Sequence, residues 1–234
     1  MTSSIIKHHL ILAVAAALAC GSGAHAQSAP PPARDWNGIW EHQGSLMFDP
    51  TVGKYGKPEA APLTPEYQKR FEAALAARAR GEQVNDPTAK CLPQGMPRMM
   101  IMTFPMEVFM TPGQVTIFAE WNSQVRRIYT DGKDHPHEPD ATWNGYSTGH
   151  WEGDTLVADT VDVRPDNSID SSPLEHSDKL KIHERIRLID QDTLEDEMTL
   201  IDPVAFTKPW TEVRRYRRNA KIYIMDYACD GKDE

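Results

Sequence analysis

Lys181-Ile182-His183-Glu184-Arg185-Ile186-Arg187-Leu188 is the stretch on which the reading of this chain turns. Polar and apolar residues alternate along it, the period of a β-strand with one face on a core. Ile182, Glu184, Ile186 and Leu188 share one face, while His183, Arg185 and Arg187 share the other. Glu184 therefore points inward with the aliphatic side chains. A buried carboxylate is costly unless paired, so this face predicts either an internal ion pair or a polar-lined cavity.

The period of two extends outward from this strand over most of the sequence after Pro93. It predicts strands near 99–104, 106–111, 114–121, 124–130, 145–151, 154–163, 180–189, 193–201, 211–218 and 221–228. Turn signals separate several of them: Pro112-Gly113, Asp131-Gly132, Glu152-Gly153-Asp154, Gln191-Asp192 and Asn219-Ala220. Short connections make successive strands antiparallel. The expected fold is mainly β, a single antiparallel up-and-down barrel of lipocalin or calycin type, or a sandwich, with one N-terminal helix. That helix runs from Pro65 to about Arg80. Thr64 caps it, Pro65 suits its first position, Gly81 ends it, and Tyr67, Phe71 and Leu75 form one apolar face. Gly44 to Pro62 reads as a long loop.

Residues 1–26 read as an export signal. Lys7 supplies the positive end, Leu10 to Ala19 is an apolar run too short to span a bilayer, and Ala24-His25-Ala26 is a cleavage site. Leu18-Ala19-Cys20 partly resembles a lipobox, but Ala17 stands where a larger aliphatic residue is usual. Residues 27–34, with their Pro-Pro-Pro run, read as a flexible leader, and 35–234 as one domain. The destination is the periplasm or the exterior. Removing the signal from the 234-residue chain would leave 208 residues with a formal charge of −10, because the signal holds one Lys and no acid. That balance argues against nucleic acid as a partner, and no later segment is apolar enough for stable membrane insertion. The one basic cluster, Arg214-Arg215-Tyr216-Arg217-Arg218, reads as ion-pairing strand residues. Two cysteines would remain, Cys91 and Cys229. In an oxidising compartment they pair and close a loop worth about 4 kcal/mol; the alternative is two buried thiols.

Alternation marks other polar groups that share a face with apolar ones. Asp159 aligns with Val157 and Val161, Asp196 with Leu194 and Met198, Asp226 with Ile222 and Ile224. Arg127 and Tyr129 align with Val125, and Glu120 with Phe118. Converging on one lumen, such groups would form a ligand site. For each, a solvated strand end is the competing reading. His176, in the loop before the Glu184 strand, is a candidate acid or base, or a loop-capping group. His135-Pro136-His137 has a spacing that suits a metal, but it lacks a third ligand and lies in an irregular acidic stretch, so no metal is assigned. No G-x-S-x-G, H-E-x-x-H, phosphate loop or dinucleotide fingerprint occurs, and no cofactor is implied.

Several uncommon words occur in order: Arg126-Arg127-Ile128-Tyr129-Thr130-Asp131-Gly132, His135-Pro136, Trp143-x-Gly145 and Trp151-Glu152-Gly153-Asp154-Thr155-Leu156-Val157. His176-Ser177-Asp178, Glu184-Arg185, Asp202-Pro203 and Lys208-Pro209-Trp210 follow, and Cys91-Leu92-Pro93 with Gly95-x-Pro97-Arg98 precedes them. From Cys91 to Trp210 the chain resembles a large family of exported bacterial proteins without a settled activity. The resemblance implies relatedness and export more than a chemistry. Gly38-Ile39-Trp40 separately resembles the opening Gly-x-Trp of lipocalin-like barrels.

The leading expectation is a binding barrel whose polar-lined lumen takes a small, partly apolar organic molecule. Arg98, Glu120, Asp159, Asp196, Trp143 and Trp151 are its ligand-binding candidates. The alternative is cofactor-free lyase, dehydratase or isomerase chemistry in the same lumen. There Glu184 or His176 would be the base, Arg127 and Arg98 would steady negative charge, and Tyr129 would donate a proton. A third reading is a structural envelope protein whose inward charges are ion pairs.

Overall fold

The computed structural model describes residues 35–49, 61–84, 86–135, 140–227 and 229. The signal and leader readings, and His137 of the rejected metal pair, lie outside those residues. Nine strands close into a barrel: β1 (Gly38–Gln43), β2 (Met106–Thr111), β3 (Gln114–Ala119), β4 (Gln124–Tyr129), β5 (Tyr146–Glu152), β6 (Thr155–Val161), β7 (Lys181–Asp190), β8 (Thr193–Ile201) and β9 (Trp210–Arg218). Each strand pairs with its neighbours in sequence, and β1 closes the ring against β9. Tight turns at Pro112-Gly113, Gly153-Asp154 and Gln191-Asp192 make hairpins of β2–β3, β5–β6 and β7–β8.

The barrel is not purely antiparallel. β4 and β5 run parallel, in register at only Ile128–Ser147 and Tyr129–Thr148. A parallel pair needs a long crossover, and the connection 130–145 supplies one. The Asp131-Gly132 turn opens that crossover instead of a hairpin. A helix, α1 (Pro65–Ala79), packs Tyr67 and Phe71 inward and ends before Gly81, whose φ of +78° suits glycine. Thr64 precedes it without a side-chain cap; its hydroxyl instead donates to the Val204 carbonyl at 3.0 Å. No helix among the described residues is long and apolar enough to cross a membrane.

Two expected strands are absent and one strand was not anticipated. The run expected at 99–104 forms a 3₁₀ turn, Arg98–Ile101, in which all four residues are buried. A continuous apolar run such as Met99-Met100-Ile101 carries no period, so burial on all sides is compatible with a plug as well as a strand. The turn is tied to the barrel wall where the Tyr216 hydroxyl donates to the Met100 carbonyl at 2.8 Å. The stretch 221–227 is unpaired because barrel closure gives both edges of β9 to β1 and β8, leaving none for a tenth strand. Asp226, assigned to that strand, is exposed. The segment runs along the outside, with Tyr227 stacked on Trp121 at 4.8 Å and Cys229 joined to Cys91 by a disulfide. The missed strand is β1, whose Trp40 is fully buried.

Candidate functional site

The barrel interior places a charged network among apolar residues. On β7, Ile182, Glu184, Ile186 and Leu188 face inward, as alternation predicts, and Glu184 has no solvent exposure. Its partner is Arg126 of β4, equally buried. Arg126 Nη1 donates to Glu184 Oε1 at 2.8 Å, and Nη2 donates to Glu184 Oε2 and to Thr160 Oγ1. The guanidinium spans β5 and β6 to reach β7, along a path where the inward residues are small: Ser147, Gly149, Ala158 and Thr160. The hydroxyls of Ser147 and Thr160 share a hydrogen bond of 2.7 Å beside it.

Asp196 of β8 lies on the same inner face. Glu184 is in register with Met198, so Asp196 is its diagonal neighbour, within reach of a shared proton. Burial, then the Glu184 charge, pushes the Asp196 carboxyl well above the usual carboxylate range. That shift favours its neutral form in the folded protein. Its oxygens accept from no donor among the described residues, and a protonated Asp196 donating to Glu184 reconciles the two facts. Arg214, opposite Asp196, donates to the carbonyls of Met47 and Ser45 and lies 5.4 Å from the Phe48 ring centre. Of the four arginines in the basic cluster it alone is fully buried. Burial, then Arg214, lowers the His42 imidazole to about 4, so it is uncharged at neutral pH. The lumen centre is thus filled by side chains.

The open space lies to the side. Where β4 and β5 share only two residue pairs, a cleft of about 590 Å³ enters the wall. Inward-facing Arg126 and Ser147 lie at its base, and Arg127, Tyr129, Trp143 and Tyr146 line its mouth. The Asn144 amide spans the gap, donating to the Val125 carbonyl at 3.0 Å. Two glycines set Trp143 in place. Gly95 has φ of +64° and no room for a Cβ against the Trp143 carbonyl, which accepts from Met96 N at 2.9 Å. Gly145, also at φ +64°, lies equally close to the Val161 carbonyl. Arg164 stacks on the Trp143 ring at 4.5 Å. The Tyr129 ring stacks on His135 at 4.0 Å, and His135 Nε2 bonds Asp131 at 2.7 Å, an interaction that lowers the Asp131 carboxyl to about 2.

The residues singled out from sequence fall in different places. Glu184 and Asp196 meet inside the barrel, while Arg127, Tyr129 and Trp143 meet in the cleft. The assignment of Arg127 to the inner face was wrong. Gln124, Arg126 and Ile128 face inward and Arg127 is exposed, because Val125 and Ile128 mark opposite faces and only the Glu184 contact decides between them. Asp159 is likewise outside, where it bonds His183 Nδ1 at 2.8 Å; Leu156, Ala158 and Thr160 hold the inner face of β6. Glu120 closes the turn after β3 and accepts from Met225 N at 2.8 Å. Arg98 is buried against Asp86 at 2.7 Å and Ser168 at 2.8 Å. Trp151 packs edge-on to Trp36 at 5.1 Å. His176 is buried away from the cleft lining, bonding the Ser177 carbonyl at 2.9 Å, and burial lowers its pKa. Beside it Asp202 accepts from Ser177 N and Oγ, so two words of the family resemblance form one lock between the loops flanking β7 and β8. Alternation along β4 gives no sign of Arg126, the direct neighbour of Arg127, because each face of the strand carries one apolar marker and one arginine.

No family model matches this chain, and no curated protein matches it.

Proposed function

We propose that this protein is an exported barrel that binds a small, partly apolar organic molecule in the lateral cleft between β4 and β5. The observation that carries the reading is the cleft itself, about 590 Å³ with Tyr129, Trp143 and Tyr146 at its mouth and arginines beside them. That volume suits a small molecule, and the lining sets three aromatic rings among polar side chains such as Asn122, Gln124, Thr142 and Asn144. The signal-like N-terminus and the Cys91–Cys229 disulfide support export to an oxidising compartment, in keeping with the family the sequence resembles. The acid–base alternative needs Glu184 or His176 in contact with substrate. The Glu184 carboxylate is held by Arg126 without exposure, and His176 is buried outside the cleft lining, which favours the binding reading.

The test is a thermal-shift and tryptophan-fluorescence screen of the mature protein against small aromatic and alicyclic compounds. A ligand selective for the folded state raises the melting temperature. Binders are expected to lose that effect in Trp143→Ala, while the unliganded variant melts close to the parent. Equal stabilisation of the parent and Trp143→Ala would place the site elsewhere. A purely structural envelope role predicts no stabilising compound at all.

A further inference from the structure

The cleft has a charge pattern unlike the rest of the molecule. The chain carries 34 acidic residues against 25 basic ones, yet among the described residues no Asp or Glu lines the cleft, and two arginines do. The two are not equivalent. Arg126 gives its guanidinium to Glu184, Thr160 and Ser147. Arg127 has no hydrogen bond or ion pair to any described residue, whereas Arg70, Arg164, Arg185, Arg187 and Arg215 each hold a carboxylate at 2.5–3.0 Å. The reason is positional. Across β3 its partner is Thr116, and on its other side the parallel pairing with β5 has not yet begun, so neither neighbouring strand sets an acid beside it.

A guanidinium without a counter-ion among the described residues, at the mouth of a cleft with aromatic walls, is a ready receptor for a planar anion. Its fork matches the two oxygens of a carboxylate, which Arg127 can hold bidentately from its exposed position on the outer face of β4. Tyr129, Trp143 and Tyr146 would receive the flat body of the same molecule. Resting on the binding function proposed above, we infer that the cleft's ligand is an aromatic or otherwise flat carboxylate, and that Arg127 receives its acid group.

The experiment uses matched pairs on the mature protein: 2-naphthoate against 2-naphthamide, and indole-3-acetate against indole-3-acetamide, with inorganic phosphate as a bare anion. Affinities are read by calorimetry at two salt concentrations. The acids are expected to bind at least tenfold more tightly than their amides and to weaken as salt rises. Arg127→Gln is expected to remove that preference by weakening acid binding at least tenfold, Arg127→Lys to restore part of it, and Arg187→Gln, outside the cleft, to leave acid binding unaltered. If acid and amide bind equally, or Arg127→Gln leaves acid binding intact, the carboxylate assignment is overturned while the binding function stands. Phosphate binding as tightly as the acids would also overturn it, by reducing the site to a simple anion contact. If no member of either pair binds the parent protein, the binding function and the carboxylate assignment both fail.

Discussion

The two faces of β7 carry the same kinds of side chain under opposite conditions. Outside, His183 pairs with Asp159, Arg185 with Glu152, and Arg187 shares Glu195 with Arg215. Inside, Glu184 pairs with Arg126, and both are removed from water. An exposed pair exchanges one set of water contacts for another and contributes little, because its members can re-solvate when a partner is lost. A buried pair has no such recourse. Its formation contributes little net stability, yet losing one member strands the other charge. The interior network therefore acts as a specification of which strands meet, and the outer ladder as a solvated coat.

Removing Glu184 should produce the largest effect. Glu184→Ala leaves Arg126 buried and unpaired, and is expected to cost about 3–5 kcal/mol in urea unfolding. The double variant Arg126→Met with Glu184→Leu should recover most of that loss, since it removes both charges and fills the space. A single-variant cost below about 1 kcal/mol would mean that water reaches the pair, and the contrast between faces would collapse.

Next come two opposed pH effects. The folded state keeps the His42 imidazole neutral down to about 4, whereas the unfolded chain binds that proton from 6.5 downward. Stability is therefore lost on acidification from pH 6.5 to 4, by up to roughly 3 kcal/mol from this group, and His176 acts with the same sign. His42→Phe should shrink that loss. Asp196 acts in the other direction. Its folded-state pKa is raised above the unfolded value near 3.8, so its contribution falls as pH rises through the interval between the two, at up to about 1.4 kcal/mol per pH unit. Asp196→Asn, which mimics the protonated acid, should gain on the parent protein as pH rises above 4. Urea midpoints at pH 4, 5 and 6.5 check both, because the two variants should tilt the curve in opposite senses. A difference between parent and Asp196→Asn that does not change with pH would mean that Asp196 is ionised inside the barrel.

The contrast between faces also explains which parts of the molecule could be read from sequence. β7 was legible because three aliphatic residues fall on one side of Glu184's strand, and an ion pair was one of the two outcomes that pattern allowed. β4 was not, since Val125 and Ile128 mark opposite faces and each face carries one arginine; the deciding contact, with Glu184, is 58 residues away. β6 misled in the same way, because Val157 and Val161 suggested a core face that Leu156, Ala158 and Thr160 occupy. The hairpins were visible in their turns. The parallel β4–β5 pairing, and with it the cleft, was hidden because it is made by a long connection whose sequence has no period of its own. The tenth strand failed for a reason no local pattern records: closure of the ring leaves no free edge.

The smallest effect belongs to Asp159. Its side chain is 64% exposed and that of His183 is 38% exposed, so the pair at 2.8 Å sits in water and in reach of salt. Asp159→Asn should change stability by less than about 0.5 kcal/mol, with the residue of that difference fading further in molar salt. His183 stays hydrated without its partner, and β6 and β7 remain joined through their ladder and through the inward residues. The comparison is strongest at this point because Asp159 and Glu184 lie on adjacent strands, one residue out of register, on opposite sides of one sheet. A cost for Asp159→Asn approaching that of Glu184→Ala would show that the sheet's outer face is covered by something in solution, and that the solvated coat is an interface.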